Sequence, residues 1–303
     1  MQPVTWVYAA LASAALMAVV SIVDSHLISR RMPSFNSFLL PVAAVHFGLG
    51  LSILLALPLP GQVETNAILI AIGSAIARTV GAMFMLKAMR TEEVSRIIPV
   101  VHTFPIFVAI MAVPLLGEIL GYLEWLAIAI TVAGAVLISV RTGTKGQGLR
   151  LSRSFVLLLG CSLLWGIANT GTKYALDQIS FWNMYSINAI CLGGVFALVA
   201  LRRRTLTELA GMALRNRILS VLVLNEIIAF AGTTLSFRAM EEGPVSLVST
   251  VLSIRPLFVF VFALALSLVL PAILEERLTK GIVLVKIVSI ALVVGGVAIL
   301  TLS

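Results

Sequence analysis

Lys87 to Val108 (KAMRTEEVSRIIPVVHTFPIFV) recurs without a gap 151 positions later as Arg238 to Val259 (RAMEEGPVSLVSTVLSIRPLFV). Eight positions are identical, among them Ala88/Ala239, Met89/Met240, Ser95/Ser246, Pro105/Pro256 and Phe107/Phe258, and Lys87 pairs with Arg238 by charge. A proline two residues before Phe-Val, at the same offset from Ala-Met, is a duplicated element rather than a by-product of an apolar composition. The duplication constrains the fold because it lies inside a series of ten apolar runs, so each half of the chain holds five. An odd number of spans turns the second copy upside down in a bilayer. Such inverted repeats give secondary carriers two-sided access to a midplane site.

The membrane setting follows from composition. Of 303 residues 60% are hydrophobic and 11% charged, with a mean hydropathy of +1.11, whereas a soluble domain carries about 25% charged residues. A formal charge of +8 would suit a nucleic acid only if the cations formed one basic face. Here they sit in the loops between apolar runs, so no nucleic-acid partner is expected. Cys161 and Cys191 fall inside apolar runs without metal-ligand spacing, which leaves no metal site and no cofactor in the reading. The first apolar run has no basic residue ahead of it and is long enough to span, unlike a cleaved signal.

The predicted fold is an all-α integral membrane protein of ten transmembrane helices, arranged as two inverted five-helix repeats. Spans fall near 4–23, 36–58, 66–86, 94–116, 122–140, 155–175, 182–201, 218–237, 245–270 and 281–302. Residues 1–141 form the first repeat, 142–153 a linker and 154–303 the second repeat. Thr91-Glu92-Glu93 and Glu241-Glu242 with Pro244 read as the starts of the two copies, with acidic residues at the positive end of the helix dipole. Seventeen of the 21 Lys and Arg residues fall on one side of this arrangement and two, Lys173 and Arg238, on the other. The positive-inside rule puts the rich side in the cytoplasm and both chain ends outside.

Each copy continues recognisably. Pro105-Ile106-Phe107 leads to Leu115-Leu116-Gly117-Glu118, Trp125 and Ala133-Gly134-Ala135-Val136. Pro256-Leu257-Phe258 leads to Leu274-Glu275-Glu276-Arg277 and Gly295-Gly296-Val297-Ala298. In their order and duplication these segments resemble the EamA-type transporters of the drug/metabolite transporter superfamily. The resemblance covers almost the whole chain. It implies a multi-pass carrier of small metabolites in an inner membrane, often an exporter, with a cavity lined by helices 3, 4, 8 and 9. The chain departs from the family pattern at Ser267 to Ile273, an added apolar stretch, and in the residues just before the two prolines.

Ionisable groups near the middle of a span cost about 2.5–3.5 kcal/mol on insertion scales and mark functional candidates. Four qualify: Arg78, His102, Glu226 and Arg255. They fall on the four helices that the resemblance puts around the cavity, and their repeat mates Ala229, Ser253, Ala75 and Phe104 carry no charge. Two permanently charged arginines against one carboxylate leave a balance of +1, which an anionic or zwitterionic ligand would complete. Arginine also grips a carboxylate through two parallel hydrogen bonds. The expected internal contact is Glu226 with Arg78 or Arg255, and the bland alternative is that this bridge only locks helices together.

Asn225 beside Glu226, and Ser253 near Arg255, add polar candidates, although a hydroxyl in a helix commonly bonds its own backbone carbonyl. His102 is either a titratable ligand group or a packed, hydrogen-bonded core residue. Pro105 and Pro256 predict kinks at matched depth. Gly81 and Gly232, also matched by the repeat, predict close helix contact rather than ligand binding. Asp24, His26, Lys173, Asp177, Glu118, Glu124 and Lys286 lie near span ends, where snorkelling explains them. His46, Asn169 and Asn188 lie deeper; Asn169 and Lys173 fall one turn apart on the sixth span, toward the cavity mouth, and none of them reads as a site residue.

The function read from these residues is secondary active transport, with export favoured, of a small anionic or zwitterionic metabolite by alternating access. Its partners are a small-molecule substrate, the lipid bilayer and a proton or counter-substrate. The alternatives are an exporter of hydrophobic cations centred on Glu226, or a non-transporting membrane scaffold. An enzyme is not expected, because the loops are short and carry no cluster of nucleophile, base or metal ligands, and no phosphate-binding loop is present.

Overall fold

In the computed structural model, residues 5–90, 94–139 and 153–269 are described, with 288, 291, 292, 295, 296 and 299. Every element among them is helical. Helices α1 (Thr5–His26), α2 (Phe35–Ala56), α3 (Thr65–Ala88), α4 (Val94–Val101), α5 (Phe104–Leu116) and α6 (Tyr122–Ser139) make up the first half. The second half holds α7 (Arg153–Leu176), α8 (Phe181–Ala200), α9 (Arg203–Ala210), α10 (Arg215–Glu242), α11 (Val245–Leu252) and α12 (Arg255–Val269). Among the described residues, six helical runs are long and apolar enough to cross a membrane: Thr5–Arg31, Phe35–Ala56, Thr65–Ala88, Phe181–Ala200, Arg215–Glu242 and Val245–Leu266. Linker residues 142–152 and the tenth predicted span, 281–302, lie outside the described residues apart from those six positions.

The two prolines do more than bend their helices. Each predicted span that contains one is split, α4 from α5 at His102–Thr103 and α11 from α12 at Ser253–Ile254. Pro105 and Pro256 have no N–H and would crowd the carbonyls four residues back. Both junctions relax in the same way, into tighter i→i−3 bonds. Thr103 N donates to Val100 O at 3.3 Å and Ile106 N to Thr103 O at 3.2 Å; Ile254 N donates to Val251 O at 3.1 Å and Leu257 N to Ile254 O at 2.9 Å. Adding 151 to the bounds of α4 and to the start of α5 gives those of α11 and the start of α12, so the repeat in sequence is also a repeat in secondary structure.

Packing follows the same correspondence. Helix α1 packs along α10 and α3 along α7, while α2 packs along α8. Exchanging each helix of the first half for its counterpart in the second turns α1–α10 into α7–α3 and leaves α2–α8 unchanged. The matched glycines sit in these contacts. A Cβ on Gly81 would fall 2.7 Å from the Trp165 ring, and one on Gly232 would fall 2.9 Å from the Met17 side chain. Each glycine carbonyl accepts a bond from the opposing helix, Gly81 from Cys161 Sγ at 3.1 Å and Gly232 from Ser13 Oγ at 2.7 Å. Close helix packing is therefore what the small residues permit.

Three local expectations are corrected. Glu241 and Glu242 end α10 rather than starting α11. The N-terminus of α11 is instead capped by Glu118, whose carboxylate accepts from Val245 N at 2.5 Å, Ser246 N at 3.2 Å and Ser246 Oγ. Helix α1 runs past its predicted end into a π-turn, Leu27–Arg31, closed by Met32 N donating to Leu27 O at 2.9 Å. Residues 203–210, which read as loop, form the short helix α9. Its Glu208 accepts from Ser34 Oγ at 2.5 Å and Ser37 Oγ at 2.8 Å, tying it to the start of α2. Ser34 is also the N-cap of α2, accepting from Ser37 N at 3.1 Å.

Candidate functional site

A cavity with about 1090 Å³ of space unfilled by protein, its open mouth included, lies between the halves. All four mid-span ionisable groups, Arg78, His102, Glu226 and Arg255, line it. The other two candidates do not. Asn225 lies behind the wall, and Ser253 is fully buried with its hydroxyl donating to Thr250 O at 2.7 Å. That local bond is the ordinary fate of a helical serine.

The expected arginine partner of Glu226 is replaced by histidine. Glu226 Oε2 lies 2.9 Å from His46 Nε2, with both side chains buried, and His46 Nδ1 faces the Tyr185 hydroxyl at 3.5 Å. Asp24 is the residue that sequence reasoning misses most completely. It is only 8% exposed, lines the cavity and accepts from Asn225 Nδ2 at 2.7 Å. The extension of α1 through the π-turn keeps Asp24 well inside the helix rather than at its end. Asn225, placed by sequence as a ligand group, is therefore a support for this carboxylate.

Arg255 begins α12 at the second break. Its guanidinium donates to Ser21 Oγ and lies within electrostatic reach of Asp24, which in turn interacts with Glu226. Asp24, Glu226 and Arg255 thus form one cluster, walled by α1, α2, α8, α10 and α12. The second carboxylate cancels the +1 balance expected from sequence, so the formal sum over the two arginines and two acids is zero when both histidines are neutral.

Arg78 stands apart from that cluster. Its Nη2 donates to Thr172 Oγ1 at 3.0 Å, and its guanidinium carbon lies 5.0 Å from the centre of the Phe237 ring. No carboxylate among the described residues is bridged to it, and its Nε has no hydrogen-bond partner there. His102, at the α4–α5 break, lines the same cavity. Both ring nitrogens are buried without a partner, and the ring meets the edges of Phe104 and Trp165 at centroid distances of 5.4 and 5.9 Å. His102 is therefore packed, but it is not the hydrogen-bonded core residue of the bland alternative. Among the described residues, no group of His, Cys, Asp and Glu is arranged to hold a metal ion.

The fold and the cavity together define a multi-pass helical membrane protein with ionisable groups, His102 and Arg255, at the breaks of discontinuous helices. The EamA-like transporter family model matches residues 4–140. Over this segment, less than half of the chain, the sequence is similar to that family, whose members are membrane transporters of the drug/metabolite type. None of the curated proteins compared with the chain matches it. Twenty-six chains of known structure match. One, a crystal structure of a protein 16% identical, superimposes with a TM-score of 0.64 over 99% of this chain and 96% of its own. At that identity the likeness speaks for the fold alone.

Proposed function

We propose that the protein is a secondary carrier that exports a small zwitterionic metabolite of the amino-acid type by alternating access. Ten spans in two inverted five-helix repeats would rock about the cavity, with both chain ends outside an inner membrane. The observation that carries the reading is the separation of charge in one cavity. Among the described residues, Arg78 presents a cation with no carboxylate bridged to it, while Asp24 and Glu226 share a cluster with one arginine. A ligand carboxylate suits the planar fork of Arg78, and a ligand ammonium suits the two acids. The matched breaks before Phe104 and Arg255 supply the discontinuous helices on which carriers of this kind build midplane sites.

The second carboxylate also lends weight to the alternative, an exporter of cations. Counterflow in proteoliposomes separates the two. Vesicles preloaded with an amino acid should accumulate the labelled amino acid, and those preloaded with an amine lacking the carboxylate should not drive that uptake. Accumulation of hydrophobic amines in place of amino acids would establish the cation reading.

A further inference from the structure

We infer that the short helix α9 and the turn after it form an interfacial anchor that binds the headgroups of anionic phospholipids. Helix α9 lies between the end of α8 at Ala200 and the start of α10 at Arg215. Both neighbours are long and apolar enough to span, so α9 sits where two spanning helices leave the bilayer. Its inner face is fastened to the bundle. Thr205 is buried, and Glu208 accepts from Ser34 Oγ and Ser37 Oγ at the start of α2. The remaining faces of the helix point outward.

Two kinds of side chain are exposed there. Arg202, Arg203, Arg204, Arg215 and Arg217 are all exposed, as are Arg30 and Arg31 at the end of the π-turn that leads to Ser34. Glu208 is the one acid between positions 201 and 217, and it is already held by the two serines and by Arg204 Nε at 2.9 Å. Among these cations stand Leu201, Leu206 and Leu214, which are 62%, 50% and 67% exposed.

Water suits neither set. Clustered cations with one acid among them repel one another, and bare leucines keep apolar surface wet. An anionic phospholipid surface suits both. Guanidinium groups take phosphate oxygens through paired hydrogen bonds, and basic residues beside the end of a spanning helix are drawn to acidic headgroups. The leucines then reach the boundary between headgroups and acyl chains, as the apolar residues of interfacial helices do. A nucleic acid or an acidic protein would match the arginines but not the leucines. Through Glu208 the anchored helix also holds Ser34, the N-cap of α2.

Quenching by nitroxide lipids tests this on the full chain, in vesicles of mixed phosphatidylcholine and phosphatidylglycerol. A bimane label goes on Ala210→Cys, an exposed position one turn beyond Leu206, in a background lacking Cys161 and Cys191. The control label goes on Gly61→Cys, also exposed, in the loop after the opposite end of α2. The nitroxide is carried high on the acyl chain of either lipid, at equal amounts. Labelled phosphatidylglycerol should quench the position-210 label more than labelled phosphatidylcholine does, with no such excess at position 61. The triple variant Arg202→Gln/Arg203→Gln/Arg204→Gln should lose the excess. Because Arg204 also holds Glu208, Arg215→Gln/Arg217→Gln is the second variant; it leaves that contact intact and should reduce the excess too. Equal quenching by the two lipids at position 210, the same excess at both positions, or an excess unchanged in both variants overturns the anchor. Quenching at position 210 by water-soluble acrylamide, with none by either lipid, also overturns it and leaves this face to a soluble acidic partner.

Discussion

Glu226 of α10 and His46 of α2 meet at 2.9 Å in the wall of the cavity, so the central carboxylate is held by a histidine rather than by either arginine. The contact joins the two halves of the chain and leaves Arg78 without an acidic partner among the described residues. Removing one partner of a buried hydrogen bond costs about 1–3 kcal/mol, and more where the group left behind is charged, because that group is left unsatisfied. His46→Leu should lower the melting temperature in detergent sharply, and the double variant His46→Leu/Glu226→Leu should recover part of the loss. Additive losses in that cycle would mean the two side chains do not interact.

The matched glycines give a second prediction, on packing. At Gly81 an added methyl meets the rigid Trp165 ring, whereas at Gly232 it meets the flexible Met17 chain. Gly81→Ala should cost about 1–3 kcal/mol, as overpacking does, and Gly232→Ala less. Gly48→Ala, with nothing within 4 Å of its Cβ, is the control and should be close to neutral. Thermal unfolding of the three variants checks the order.

The register of the repeat is legible in the amino-acid sequence alone, because proline and glycine act locally through missing atoms. Pro105 and Pro256 must disturb their helices wherever those helices sit, and Gly81 and Gly232 admit a neighbour whichever helix it is. Which charges meet is not legible there. Depth along a span says nothing about the face a side chain occupies or which helix lies opposite, so an arginine is the partner expected for Glu226, and His46 has none. Asp24 reads as a span-end residue for another reason: nothing in Ser25 to Arg31 announces that the helix continues through a π-turn. Helix α9 is too short, and too rich in arginine, to stand out from the basic loop around it.

Acid should loosen α9. The Ser34 hydroxyl, then Ser37 and Arg204, hold the Glu208 carboxyl below its ordinary value of 4.5. A depressed acid stabilises the fold above its ordinary value, and that contribution is lost as pH falls through the depressed one. Hydrogen exchange in 203–210, corrected for intrinsic rates, should show protection falling below about pH 4. Glu208→Gln should remove that step. The same acid step in Glu208→Gln would assign the titration elsewhere.

Orientation can be tested with two cysteines. The seventeen-to-two split of cations predicts that the linker faces the cytoplasm and the C-terminal end faces out. Single cysteines at Gln147 and Ser303, in a background lacking Cys161 and Cys191, should react with an impermeant thiol reagent from opposite sides. Labelling from the same side would contradict the span count or the orientation.

The central claim is that Arg78 receives a ligand carboxylate while the Asp24–Glu226 cluster receives an ammonium. The most direct measurement is the thermal shift of purified protein with an amino acid, its methyl ester and the corresponding amine. A ligand that binds only the folded state raises its melting temperature, by about 2.7 kcal/mol of stabilisation at a hundredfold excess over Kd. The amino acid alone should produce the shift, and folded Arg78→Gln should lose it, with Arg78→Lys retaining only part because the planar fork is gone. Equal shifts from the ester or the amine, or an undiminished shift in folded Arg78→Gln, would contradict the account.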